Sequence, residues 1–152
     1  MLFRSEKETI QDTQQLNHHD DLQEAVRLLQ KAQVIDVYGV LNHVLLAKHF
    51  KTLMMYIGKD VQVIDQVTGQ KRSACLADES HCAIIISYSG QTREMLHIKI
   101  GDFASTTSLK YLFDILYAGV FSHDYKKNLE TKIVVASYVD DRQSEDEYIN
   151  EK

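Results

Sequence analysis

Proline is missing from this chain of 152 residues, and so is tryptophan. Because proline averages about 5% of residues in proteins, its absence excludes proline-rich linkers and turns built on proline. Only two cysteines are present, Cys75 and Cys82, which is too few for a disulfide framework and suits a reducing compartment. Their spacing around His81 matches no zinc motif, so neither a metal site nor a cofactor is expected.

Positive charge and long apolar runs are also scarce. Lysine and arginine number 17 against 22 acidic residues, a formal charge of -5, so the chain has no general electrostatic footprint for nucleic acid or anionic lipid. No apolar run approaches the roughly 20 residues of a membrane helix, and the N-terminus lacks the apolar core of a signal peptide. We therefore expect a cytoplasmic protein with no membrane partner. At 44% apolar residues, the chain can bury one real core.

The apolar pattern divides the chain into three parts. Residues 1–20 are polar and predict an N-terminal arm or linker, and residues 21–139 carry the periodic pattern of one domain. Residues 140–152 hold six acids and two bases, which predicts a solvated acidic tail.

Short β-branched or apolar runs alternate with helical patterns in the central part. The predicted strands are residues 34–38, 61–64 and 82–86. The predicted helices are residues 21–33, 41–57, 71–77 and 105–121. The first opens with a capping box at Asp21 and Glu24, and the second ends at Gly58, which is expected in a left-handed conformation. Residues 132–139 fit either a strand or a helix. The third strand is continuously apolar, which predicts cover on both faces.

This alternation predicts right-handed βαβ units, and hence an α/β protein whose parallel sheet forms the middle of a three-layer αβα sandwich. Ligands of such sheets bind at the carboxyl ends of the strands, here just after Tyr38 and Ile86. The broad apolar face of the helix at 105–121 is expected to pack on the sheet or across a subunit interface.

Hydroxyl groups and a glycine follow the third predicted strand in the segment SYSGQT, residues 87–92. A helix N-terminus offers unpaired N–H groups and partial positive charge, and glycine lets the backbone approach a ligand, so this turn could hold a phosphate without lysine. The groups expected at the phosphate are the hydroxyls of Ser87, Ser89 and Thr92 and the backbone amides of Gly90 and Gln91. The alternative is that Ser89 and Thr92 only cap a helix.

The order Ser-x-Ser-Gly-x-Thr after an apolar strand resembles the phosphosugar-binding motif of sugar isomerase (SIS) domains. The segments at 30–39, 47–50, 57–61 and 101–105 resemble the C-terminal effector domain of RpiR-type transcriptional regulators, and the likeness covers most of residues 20–128. The resemblance implies a sensor of a phosphorylated sugar that forms a homodimer or higher homo-oligomer. It also implies DNA binding through a helix-turn-helix domain that this sequence lacks, so we expect no operator binding by the chain itself.

Two departures from the family pattern are visible. The family's first loop resembles Gly-x-Gly-x-Ser, whereas this chain has Gly39-Val-Leu-Asn-His43, with His43 at the place of the serine. Gly39, Asn42 and His43 are the ligand candidates on this loop, where Asn42 and His43 would supply other donors. In addition, Ile98 runs directly into Lys99-Ile-Gly101, so the sheet is expected to lack one βα element of the family.

Two other functions compete with the sensor. The SIS fold also serves aldose-ketose isomerases, for which Glu94, His97 and His43 are the available proton-transfer groups. However, Glu94 equally suits the dipole of a helix start, and His97 a helix surface. A domain that has lost its ligand site and only dimerises is the second alternative. We expect a sensor without catalytic activity.

Overall fold

The computed structural model describes residues 5–39, 43–87 and 106–139. Their elements, in chain order, are α1 (Glu6–Leu16), α2 (His19–Lys31), β1 (Val34–Tyr38), α3 (His43–Met55), β2 (Asp60–Ile64), α4 (Val67–Leu76), β3 (His81–Ile85), α5 (Thr106–His123) and α6 (Tyr125–Val139). No helix in these ranges is both long and apolar enough to cross a membrane.

The strands form one parallel sheet in the order β2-β1-β3. Ile35 of the central strand aligns with Val61 of β2 and with Cys82 of β3. Helices α3 and α4 provide the two crossovers, so the predicted α/β architecture with a parallel sheet is confirmed. The segment after Ile98 lies outside the described residues, and the loss of one βα element stays a prediction.

One face of the sheet carries the core. Ile35, Val37 and Val61 are fully buried, and their cluster includes buried side chains of α2, α3 and α5. Phe50 of α3 stacks on Phe113 of α5 with ring centroids 4.7 Å apart. Each such side chain stabilises the fold by about 1.5–3 kcal/mol through burial. The apolar face of α5 therefore packs inside the molecule, against α2 and α3.

The other face of the sheet is unevenly covered. Asp36 and Tyr38 of β1 are buried there, but Ala83 is exposed and Ile85 is 37% exposed. The prediction that the third strand is covered on both faces is therefore wrong. The physical reason is that α4 has no buried residue and packs against β2, which leaves β3 uncovered on this side.

The helix that precedes β1 starts earlier than its sequence pattern indicates. Helix α2 begins at His19, and its N-cap His18 makes no side-chain capping bond, so the predicted capping box at Asp21 is wrong. Glu24 instead pairs with Arg27 one turn later, since an i, i+3 partner is within reach on the same face.

A capping box is present in the N-terminal arm, where the Ser5 hydroxyl and the Glu8 carboxylate each accept a backbone N–H at the start of α1. Helix α1 rests on α5: Thr13 is buried, and Gln14 Nε2 donates to the Tyr111 hydroxyl over 2.6 Å.

The structure also answers two questions about the predicted helices. Gly58 adopts φ +76° after α3, as predicted, because an L side chain is strained in this left-handed conformation. Residues 132–139, which fit either a strand or a helix by sequence, belong to the helix α6.

Candidate functional site: the carboxyl edge of the sheet

The carboxyl ends of β1 and β3 lie side by side. The Ile86 amide donates to the Tyr38 carbonyl over 2.8 Å, so the parallel pairing continues one residue beyond β3. Gly39 follows Tyr38, and a Cβ placed on it would lie 3.3 Å from Ile86 Cδ1. Glycine thus allows the two chain ends to approach closely. Ser87, which is partly buried, is the next residue after this contact.

The carboxyl end of β2 is tied to the same edge by Gln70 of α4. Its Nε2 donates to the Gly39 carbonyl over 3.2 Å and to the Ile64 carbonyl over 3.1 Å. The Gly39 amide in turn donates to the Ile64 carbonyl over 3.4 Å. Gln70 thus fixes the backbone just before the first loop. It was not among the residues expected from the sequence, because a glutamine on a short helix carries no local signal of such a contact.

Three of the ligand candidates are described by the structure. Gly39 and Ser87 follow the carboxyl ends of β1 and β3, and His43 is the partly buried first residue of α3. The remaining candidates, Asn42, Ser89, Gly90, Gln91, Thr92, Glu94 and His97, lie outside the described residues.

Below this edge, Tyr38 is held in its neutral form. Burial raises the pKa of its phenol, and the negative charge of Asp36 adds to the increase, while the hydrogen bond to Ser73 opposes it. The hydroxyl donates to Ser73 Oγ over 3.2 Å, which links β1 to α4. Tyr38 therefore acts as a neutral support of the edge and supplies no charge to it.

A polar pair that the sequence did not reveal lies further toward the amino end of the sheet. Asp36, only 1% exposed, has its Oδ2 2.7 Å from Nδ1 of His81. Its Oδ1 is buried without a hydrogen-bond partner among the described residues. A buried carboxylate is costly unless it is paired, so His81 joins β3 to the central strand through this contact.

Within the described ranges, no group of three His, Cys, Asp or Glu side chains could hold a metal ion. An open groove of about 920 Å³ lies between α1, α2 and α5. Its lining comes from these three helices and from Asn17 between α1 and α2, and includes the amide side chains of Gln14, Asn17 and Gln23. The groove is therefore separate from the carboxyl edge of the sheet.

Comparison with known proteins identifies the fold. Neither protein-family models nor curated proteins match the sequence. Among solved structures, the sugar isomerase domain of an RpiR transcription factor from Sphaerobacter thermophilus is similar, with a TM-score of 0.72 and 12% identity over 87% of this chain and 94% of that chain. The NanR protein of Vibrio vulnificus, complexed with ManNAc-6P, matches with a TM-score of 0.71 and 17% identity over 88% of this chain and 66% of that chain. The chain therefore has the fold of a sugar isomerase domain.

Proposed function

We propose that this domain binds a phosphorylated sugar at the carboxyl edge of β1 and β3 and acts as a sensor without catalytic activity. One observation carries the proposal: the SYSGQT segment starts at Ser87, one residue after Ile86 contacts Gly39, in a fold shared with a protein solved in complex with ManNAc-6P. The similar domain from Sphaerobacter thermophilus belongs to a transcription factor, which favours a sensor over an isomerase.

The chemistry of the segment suits a phosphate. Ser89 and Thr92 would donate hydroxyl hydrogens to phosphate oxygens, and the Gly90 and Gln91 amides would add uncharged donors. Hydrogen bonds to a charged group are worth about 1.5–3 kcal/mol each, so a few of them suffice for useful affinity without a lysine.

The first loop would contact the sugar from the other side. The backbone of Gly39 is buried and already bonded to Ile64 and Gln70, so Asn42 and His43 would supply the donors of this loop, His43 at the place of the family's small serine. Because both side chains are larger than serine, this loop would select the sugar and leave the phosphate to residues 87–92.

The proposed context is an RpiR-type regulator in the cytoplasm, in which ligand occupancy is relayed to a helix-turn-helix domain. The chain has a formal charge of -5, so contact with an operator would come from that other domain. The domain would work as a homodimer.

The test is a thermal-shift titration of the chain with hexose, pentose and amino-sugar phosphates, with inorganic phosphate as reference. A ligand that binds only the folded state stabilises it by about 2.7 kcal/mol at a hundredfold excess over Kd. We expect one class of sugar phosphate to raise Tm more than inorganic phosphate does. Ser89→Ala should weaken that binding by roughly 10- to 150-fold.

Ser122→Ala is the matched control, because Ser122 is an exposed serine on α5 whose hydroxyl only bonds the Ala118 carbonyl. It should leave the shift unchanged. Conversion of the bound sugar phosphate to its aldose or ketose isomer, lost in Glu94→Gln, would contradict a sensor. Absence of any shift across the panel would contradict ligand binding and leave a domain that only associates with other chains.

A further inference from the structure

Helix α4 is attached to the sheet by polar side chains. No residue of α4 is buried, and the three that are partly buried are Gly69, Gln70 and Ser73. Its large apolar side chains point away from the sheet, since Val67 is 62% and Leu76 76% exposed. Helices usually attach through an apolar face. In α4 the hydrogen bonds of Gln70 and Ser73 take the place of that face.

The sequence of α4 adds little stability of its own. The helix has only ten residues, contains a glycine, and begins at an N-cap, Gln66, that makes no side-chain capping bond. Isolated helices shorter than about 12–15 residues are marginal in water, and glycine weakens them further. Helix α4 is therefore an element that opens at low free energy, and its side-chain bonds to the strands determine how often it opens.

Gln70 joins α4 to the ends of two strands. Its Nε2 carries two hydrogens and faces two carbonyls, those of Gly39 after β1 and Ile64 of β2. Because a carbonyl only accepts hydrogen bonds, the nitrogen and not the oxygen of the Gln70 amide must point toward them. The Gly39 amide donates to the same Ile64 carbonyl. Both backbone groups of Gly39 are thus bonded, and Gln70 supplies one of the two bonds.

A second bond joins α4 to the preceding residue of the same strand. The Tyr38 hydroxyl donates to Ser73 Oγ, one turn after Gln70 on the helix. Helix α4 is therefore bonded to two consecutive residues, Tyr38 and Gly39, at the point where the first loop leaves β1. The position of Gly39 and the docking of α4 on the sheet consequently depend on each other.

We propose that Gln70 is a positioning residue for the sugar, and that it makes ligand binding and the docking of α4 mutually dependent. The inference rests on the proposed function, because it concerns the loop that would contact the sugar. A ligand that orders this loop stabilises the Gly39 backbone to which Gln70 is bonded, and so keeps α4 docked. By thermodynamic linkage, the docking of α4 raises the affinity for the sugar by the same factor. Helix α4 then responds to occupancy of the site without touching the ligand.

The position of Gln70 also predicts which ligand is affected. Residues 87–92 follow β3, whose pairing with β1 continues through the Ile86 amide and does not involve Gln70. The phosphate would be held there, and the sugar by the first loop. Gln70→Met should therefore raise the Kd of a sugar phosphate roughly three- to tenfold and leave the Kd of inorganic phosphate unchanged. A residue with only a structural role would not separate the two ligands.

The first test is isothermal titration calorimetry of the full chain with inorganic phosphate and with the sugar phosphate that raises Tm most. Gln70→Met keeps the length and helix propensity of the side chain but removes both donors. Gln15→Met is the matched control, because Gln15 is an exposed glutamine on α1, and it should change neither Kd. Circular dichroism should show both variants folded. An unchanged Kd for the sugar phosphate in Gln70→Met, or an equal loss for both ligands, would overturn the inference.

The second test follows α4 directly by amide hydrogen exchange and mass spectrometry. Without ligand, Gln70→Met should exchange faster than the parent protein in α4 and at Gly39. Tyr38→Phe, which removes only the bond to Ser73, should also speed exchange in α4. The bound sugar phosphate should slow exchange of α4 in the parent protein but not in Gln70→Met. Exchange of α4 that is the same with and without bound ligand would contradict the coupling.

The two tests separate this inference from the proposed function. A parent protein that binds no sugar phosphate would contradict the proposed function and, with it, a role of Gln70 in ligand binding. A parent protein that binds one as tightly as Gln70→Met does would contradict only the inference about Gln70.

Discussion

At the scale of single residues, two polar side chains form a contact between neighbouring strands of the sheet. Asp36 is the buried charged residue of the central strand, and His81 is the group that reaches it from β3. Their contact crosses between strands that are 45 residues apart in the sequence. Stability at this position therefore depends on the pair and cannot be assigned to one residue.

Removing one member of the pair should destabilise the fold strongly. His81→Ala leaves the Asp36 carboxylate buried without the imidazole that pairs with it, so we expect the free energy of unfolding to fall by about 2–4 kcal/mol in urea titrations. His49→Ala, which alters an exposed histidine on α3, should change it by less than about 0.5 kcal/mol. A decrease at His81 as small as at His49 would show that the pair contributes nothing measurable.

The two cysteines should differ in reactivity. Burial, followed by the negative charge of Asp36, raises the pKa of the Cys82 thiol, whereas Cys75 is exposed. At pH 8 we expect rapid alkylation of Cys75 and slow alkylation of Cys82, because the thiolate is the reactive form. Mass spectrometry measures both rates. Cys75→Ser should abolish the fast phase, and 6 M urea should make the rates alike. Equal rates in the folded protein would show that the partial burial of Cys82 does not protect its thiol.

The raised pKa of Cys82 also determines how the stability of the fold changes with pH. The pKa of Cys82 is higher in the folded than in the unfolded state, so its contribution to stability is complete below the unfolded value. That contribution is lost as the pH rises through the folded value. Cys82→Ala should therefore remove part of the alkaline decline in stability.

At the scale of elements, α2 and α5 approach each other closely at Gly119. A Cβ on Gly119 of α5 would lie only 2.5 Å from Val26 Cγ2 of α2. Glycine costs about 1 kcal/mol in a helix relative to alanine, so its presence there is explained by packing and not by helix propensity. The two helices enclose the core between them and the sheet.

Gly119→Ala should consequently destabilise the protein by about 1–2 kcal/mol, because overpacking exceeds the gain in helix propensity. Adding Val26→Ala should recover much of the stability by making room. Gly69→Ala on α4 is the matched control: its Cβ would lie 3.5 Å from Ile64 Cγ2, an ordinary contact, so that variant should be neutral or slightly stabilised. Thermal unfolding measures all three. Stabilisation by Gly119→Ala would show that the helices separate easily.

At the scale of the whole molecule, the two faces of the sheet differ in how completely helices cover them. One side joins β1 and β2 to α3 and α5 in the core, and the other leaves Ala83 and Ile85 of β3 exposed. The carboxyl edge, where Gly39 and Ile86 lie close together, is at one end of this layer.

Local patterns were sufficient to predict the three strands, their parallel arrangement and the left-handed turn at Gly58, whereas the pairing of the first strand with the third was found only in the structure. Each of those predictions depends on periodicity or on backbone conformation within a few residues, which the sequence specifies directly. The SIS resemblance depends on similarly local motifs and is confirmed as a fold by the solved structures.

Only the tertiary structure decided which surfaces are covered. Three results depend on where each helix packs: β3 is covered on one face only, α5 is buried inside the molecule, and α6 has exposed apolar side chains. Apolar periodicity shows that a helix has an apolar face but does not specify which element packs against it. The contacts of Gln70 with Gly39 and of His81 with Asp36 join residues 31 and 45 positions apart. Such contacts form because folding brings together groups that are distant in the sequence, so no local pattern predicts them.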